Sequence, residues 1–185
     1  MSFFNTSFFA NDRGVVAVEA ALILPVIILL AFSVIQASTY FYNLNLLTNA
    51  AMEAARVGSL YTTPRASVQE IINSACSFLG TTANGTTGCN AGSQLINYAG
   101  SSPQVGVVIT PDTLSTTGVE SAGTAYSGSG IGSSLPCPTS AYSGASTGTI
   151  VVVTLSFTFN GIGGGKGSWG VFNQAISATS KMTCQ

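Results

Sequence analysis

The sequence predicts an α+β chain hung on one long N-terminal helix, with a short second helix and a small antiparallel sheet of about three strands. Three observations predict it. From Ala20 to Met52 no residue is charged. An amphipathic helical spacing follows, and three later segments alternate apolar with polar residues. At 185 residues the chain suffices for one modest domain beyond that helix.

Met1 to Gly14 is short and polar, punctuated by four phenylalanines. The apolar run "RGVVAVEAALILPVIILL" then begins abruptly after Arg13-Gly14. A helix needs about 20 apolar residues to cross a bilayer, and Val15 to about Ala37 supplies them. Helical spacing persists to about Leu60 through a stripe of small residues: Leu47, Ala50, Ala51, Ala54, Ala55 and Gly58. At 1.5 Å per residue that helix measures roughly 69 Å, about twice the hydrocarbon thickness. Half of it is therefore expected beyond the membrane. Pro25 removes one backbone donor and crowds the carbonyl of Ala21, which predicts a bend there and not a helix end.

"TTPRASVQEIINSACSFLG" reads as the second helix, with Thr63 as N-cap, Pro64 at the first helical position and Gly80 at its end. Val68, Ile71, Ile72, Ala75 and Leu79 form its apolar face. The predicted strands are "VGVVIT", "TIVVVTLSFTF" and "AISATSKMTC". Val105, Val107 and Ile109 lie on one face of the first. Val151, Val153, Leu155, Phe157 and Phe159 share a face of the second, and Ile176, Ala178, Met182 and Cys184 share a face of the third. Between the first two strands, Asp112 to Gly148 is rich in Gly, Ser and Thr, a composition that buries little apolar surface. It is expected as a polar surface excursion tethered through Cys137. The expected organisation is a leader, 1–14, a helix, 15–60, that spans the membrane in its first half, and an α+β domain, 61–185.

Charge excludes several functions. Charged residues are 6% of the chain, five basic and six acidic, and histidine is absent; mean hydropathy is +0.46. No electrostatic footprint for nucleic acid exists, and the commonest general base and metal ligand is missing. Serines are plentiful but lack a histidine to activate them, and the carboxylates are scattered. The chain is a poor enzyme candidate, with no cofactor or metal expected. "GKGSWG" matches G-x-G-x-x-G, but a dinucleotide site needs a βαβ unit around it and an acidic residue about 20 positions on. A hairpin loop fits better. "NGT" at Asn84 has the N-glycosylation pattern, which this composition makes turn chemistry.

Cys76, Cys89, Cys137 and Cys184 all follow the apolar run. None forms the C-x-x-C pair typical of zinc sites. An even count suits two disulfides in an oxidising compartment, with the N-terminus cytoplasmic and the domain outside. Flanking charge, Arg13 before the run against Glu53 and Arg56 well after it, gives only a mild preference of that sense. Four cysteines allow three connectivities. Cys76 lies on the second helix and Cys89 just past its loop, so that closure is the natural local one and leaves Cys137 for Cys184.

Glu19 is the one carboxylate in the apolar run. A charge at the centre of a membrane helix costs about 2.5–3.5 kcal/mol, less near its end. A cut after Gly14 would give Val15 a new ammonium group four residues earlier, a rise of about 6 Å. Amine and carboxylate would then lie on similar faces, and pairing between neighbouring subunits would offset the cost of burying both. A Sec signal peptide is the rival, but only Ala31-Phe32-Ser33 offers small residues in the required places, and a cut there would discard the patterned helix.

A glycine followed by a cut, with Glu at the fifth mature position and a long apolar helix, resembles the class III signal of type IV pilin-like proteins. "RGVVAVEAALILP", then "LLTNAAMEAARVGS" and a strand-rich C-terminal region, resemble TadE-like pseudopilins of the tight-adherence (Flp) pilus system. The resemblance implies cleavage between Gly14 and Val15 by an inner-membrane prepilin peptidase, and Glu19 as the assembly carboxylate. It also implies other pilin or pseudopilin subunits as partners through the N-terminal helix, with an inner-membrane assembly platform. The expected function is a structural minor pilin, single-pass in the inner membrane with a periplasmic or extracellular domain, that supports a pilus of surface adherence. The alternative is a membrane-tethered binding or adhesive module that never enters a fibre.

Overall fold

The computed structural model of the chain describes residues 12–85, 88–90, 93–98, 104–114, 120–126, 135–137, 148–161 and 173–185. The "GKGSWG" segment and most of the expected leader lie outside them. The chain divides into two compact units, Met1–Ser38 and Thr39–Gln185. One helix, α1 (Asp12–Ser59), runs from the first into the second and passes through Pro25 without a break. Pro25 is therefore not a helix end.

In the first unit the described part of α1 is exposed at every assigned side chain from Val16 to Ile35. Leu22 and Leu29 keep 71% and 69% of their surface open. The hydroxyls here are satisfied within the helix, Ser33 Oγ donating to the Leu30 carbonyl at 2.8 Å and Ser38 Oγ to that of Val34 at 2.8 Å. An apolar cylinder whose hydroxyls are satisfied internally, with Glu19 as its one charge, suits hydrocarbon and is costly in water.

The second unit holds the core. The small stripe of α1, Leu47, Ala50, Ala51, Ala54 and Ala55, is wholly buried. α2 (Val68–Phe78) buries Val68, Ile71, Ile72, Ala75 and Cys76. Gly58 permits the close approach of α1 to these elements: a Cβ there would sit 2.8 Å from Ile71 Cδ1 and 3.1 Å from Val151 Cγ1.

The start of α2 differs from expectation. Thr63-Pro64 is a cis peptide outside the helix, and the N-cap is Ser67, in a capping box with Glu70. The Ser67 N–H donates to Glu70 Oε2 at 2.7 Å, and the Glu70 N–H to Ser67 Oγ at 3.3 Å. The S-x-x-E signature is present in the sequence, and such an N-cap is worth about 1 kcal/mol. The Ser67 N–H holds the Glu70 carboxyl below its usual value. This lowered pKa adds stability above the unfolded-state value, and the gain fades as pH falls through the folded one. At the other end Gly80 does close the helix. It has φ +76°, its N–H reaches the Ser77 carbonyl, and the Thr81 N–H reaches that of Cys76, which is a Schellman ending.

The sheet has six strands among the described residues, against the three expected. They are β1 (Ala83–Asn84), β2 (Gly88–Cys89), β3 (Val105–Leu114), β4 (Glu120–Ser121), β5 (Gly148–Asn160) and β6 (Asn173–Thr183). The order is β1-β2-β3-β5-β6, all antiparallel, with β4 also paired to β3. The additional strands have two residues each, too short for alternation to register. The long strands are in the predicted register of faces. Val107, Leu155 and Ala178 are cross-strand neighbours on the buried face, and Thr154 and Thr179 meet on the other, their hydroxyls 3.0 Å apart.

Of the Asp112–Gly148 stretch, expected as a surface excursion, residues 115–119, 127–134 and 138–147 lie outside the described residues, and parts of the rest join the sheet. β3 continues through Pro111 and Asp112 to Leu114, and Asp112 is buried, accepting from the Gly123 N–H at 3.1 Å. The Tyr126 N–H donates to the Ile109 carbonyl at 2.7 Å, and Glu120 pairs with Lys181 of β6. Ile150 and Val152, on the face away from the main core, are also buried. Burial on both faces gives β5 a continuous apolar run at that end, as in strands covered on two sides.

Candidate functional site

The residues expected to act on assembly lie on the first turns of α1. The Gly14–Val15 peptide bond is inside the helix, two residues after its first residue. Gly14 is exposed, and a Cβ placed on it meets nothing within 4 Å. Glu19 is exposed one turn further on, flanked by the exposed apolar side chains Val16, Val18 and Leu22. Among the described residues it makes no hydrogen bond or ion pair, unlike Glu53, which accepts from Arg56 at 2.5 and 2.8 Å. That pair is held by hydrogen bonds and raises the Arg56 pKa while lowering that of Glu53.

The four cysteines lie in the second unit and form two disulfides. Cys76 of α2 is bridged to Cys89 of β2, with Cα atoms 5.3 Å apart. Cys137 is bridged to Cys184, just past β6, with Cα atoms 5.8 Å apart. Cys137 is buried beside α1, its sulfur 3.1 Å from the Gly58 carbonyl oxygen. Cys184 is half-buried against the core, as the alternation of the last strand requires.

Two polar groups escaped the reading of the sequence. Asn43 is fully buried on α1. Its amide donates to the Ile96 carbonyl at 2.8 Å and accepts from the Ile96 N–H at 2.9 Å, tying a loop to the helix with both backbone groups satisfied. Arg65 is buried at the far end of α1. It donates to the Gln185 carbonyl at 2.6 Å and lies 4.6 Å from the centre of the Tyr61 ring. The Gln185 N–H in turn donates to the Ser59 carbonyl at 3.0 Å, one of the groups a helix C-terminus leaves open. Neither residue belongs to a pattern that periodicity could flag. Among the described residues, no three His, Cys, Asp or Glu side chains gather as metal ligands.

The stretch from the exposed glycine to the last turn of α1 carries a likeness to a known family. Residues 14–56 match the family model of TadE-like proteins. The TadE-like segment starts at Gly14 and takes in Glu19, the apolar run and most of the buried small stripe, while α2 and the sheet lie outside it. No curated protein and no solved structure matches the chain. The TadE-like match implies a pilin-like protein associated with a Tad pilus. Its helix is long and apolar enough to cross a membrane once, by length and composition.

Proposed function

We infer that the chain is a structural, non-enzymatic minor pilin that a prepilin peptidase cuts between Gly14 and Val15 before it joins or supports a Tad-type pilus. The observation that carries this reading is the TadE-like match beginning at Gly14, in the first turn of an exposed apolar helix with one carboxylate in its apolar run. α1 anchors the chain in the inner membrane with its N-terminus cytoplasmic, and the disulfide-bearing unit stands on the oxidising side. Partners are other pilin-like subunits, met through α1, and the assembly platform.

Intact mass and N-terminal sequencing of the membrane-extracted protein test the processing step. The expected product starts at Val15 and is lighter by roughly 1.6 kDa, the mass of a short removed leader. Gly14→Val should leave the full-length mass, since the helix has room for the side chain and only the peptidase would reject it. An uncut wild-type chain in cells with active peptidase would sink the reading.

Pro25 serves packing between subunits in this reading. With no N–H for the Ala21 carbonyl, it should bend α1, and neighbouring helices must satisfy that carbonyl in lipid. Spin-label distances across Ala21–Pro25 are expected to fall short of those of a straight helix; straight-helix distances would remove the bend.

A further inference from the structure

Exposed aromatic and aliphatic side chains gather at the end of the second unit where the chain enters it. Phe41 and Tyr42 of α1 are 59% and 46% exposed, and Ile96 and Tyr98 are 38% and 40% exposed. The loop carrying Ile96 and Tyr98 is fixed across that end. Asn43 clamps Ile96 to α1, the Tyr98 N–H donates to the Asn160 carbonyl at 3.0 Å, and the Asn160 N–H donates to Asn97 Oδ1 at 3.1 Å. The Tyr40 ring meets Phe159 edge-on at 6.2 Å and Phe41 at 5.7 Å, so α1, the loop and the end of β5 form one continuous floor. Among the described residues, no Lys, Arg, Asp or Glu belongs to it.

We propose that this floor, Phe41, Tyr42, Ile96 and Tyr98, rests in the headgroup layer of the bilayer that α1 crosses, so that the folded unit sits directly on the lipid surface. The proposal rests on the membrane-spanning reading of α1. Rings with an apolar body and a polar tip concentrate at membrane–water interfaces, and here they follow directly on the apolar run. The patch is also too small for a stable protein partner. Its four side chains, each about half open, offer roughly 300–400 Å², against about 800 Å² per partner in a standard protein interface. A lipid surface needs no such minimum, because the span already supplies the anchoring.

The test places single tryptophans in the full-length protein, with Trp169→Phe as background, in phosphatidylcholine nanodiscs whose acyl chains are brominated next to the headgroup. Tyr98→Trp and, independently, Ile96→Trp are expected to lose about half of their fluorescence or more relative to unbrominated discs, as residues at the interface would. Tyr61→Trp, beyond the far end of α1, is expected to keep its intensity. Phe32→Trp, inside the apolar run and about 15 Å deeper than Tyr42 along α1, reports on the span itself in discs whose acyl chains are brominated near their ends. If it escapes quenching, the membrane-spanning reading fails and takes this proposal with it. If it is quenched while both the Tyr98 and Ile96 variants match Tyr61→Trp, the span stands and the floor does not touch lipid.

Discussion

Replacing Cys137 and Cys184 together by serine is expected to destabilise the second unit by about 4 kcal/mol, against about 3 kcal/mol for Cys76 and Cys89. The difference follows from loop length, since the bridges close separations of 47 and 13 residues, and the entropy removed from the unfolded chain grows with the logarithm of that number. Position adds to it. The Cys137–Cys184 bridge is the covalent tie holding the segment after β4 against β6 and the end of α1, where Cys137 is buried beside Gly58. The other bridge reinforces contacts that α2 and β2 already make through the Schellman turn and the β1–β2 pairing. Chemical denaturation of the two double variants gives the comparison, and limited proteolysis locates the damage. Cutting in the Asp112–Gly148 stretch should rise first in the Cys137/Cys184 variant, with α1 still membrane-inserted. Equal stabilities, or first cuts in α2, would show that the longer bridge does not tie down that stretch.

Much of this architecture is written in periodicity. The exposed cylinder of α1, its buried Ala stripe, the apolar face of α2 and the faces of β3, β5 and β6 all follow from spacing, because each is a long element with one solvent environment per face. The missed parts have other causes. Ser67-Val68-Gln69-Glu70 carries a legible capping box, but Thr63-Pro64 offers a competing start four residues earlier. β1, β2 and β4, of two residues each, are too short for a period. Pro111 and Asp112 read as a strand end, yet β3 continues because the Gly123 N–H satisfies the buried Asp112 carboxylate and Gly123 has no Cβ to collide with the Pro111 carbonyl. That accommodation is tertiary, and nothing local announces it. Gly14 and Glu19, to which the proposed function gives processing and assembly, stand out in the sequence because a charge in an apolar run is conspicuous.

Glu19→Ala is expected to leave membrane insertion intact and to lower incorporation into fibres by tenfold or more. Insertion improves if anything, because removing a charge from an apolar run lowers its transfer cost. Incorporation suffers in the proposed reading because Glu19, which has no partner among the described residues, is there neutralised on assembly by a neighbouring subunit. After a cut at Gly14 the nearest new charge is the Val15 ammonium, about 6 Å along the helix. A carboxylate and an amine brought together in low dielectric need couple by only about 1.4 kcal/mol for a tenfold effect on the assembly equilibrium. Several kcal/mol are available to such a pair when both charges are desolvated and well placed. Glu19→Asp keeps the charge but shortens the reach, so it should fall between wild type and Ala. Glu19→Gln keeps the shape and hydrogen-bonding atoms but not the charge, and should resemble Ala. Sheared-fibre yields measured beside N-terminal sequencing separate assembly from processing, since each variant must first be seen to start at Val15. Wild-type yields from a correctly cut Glu19→Ala chain would mean that the carboxylate is simply tolerated at the membrane boundary and pairs with nothing.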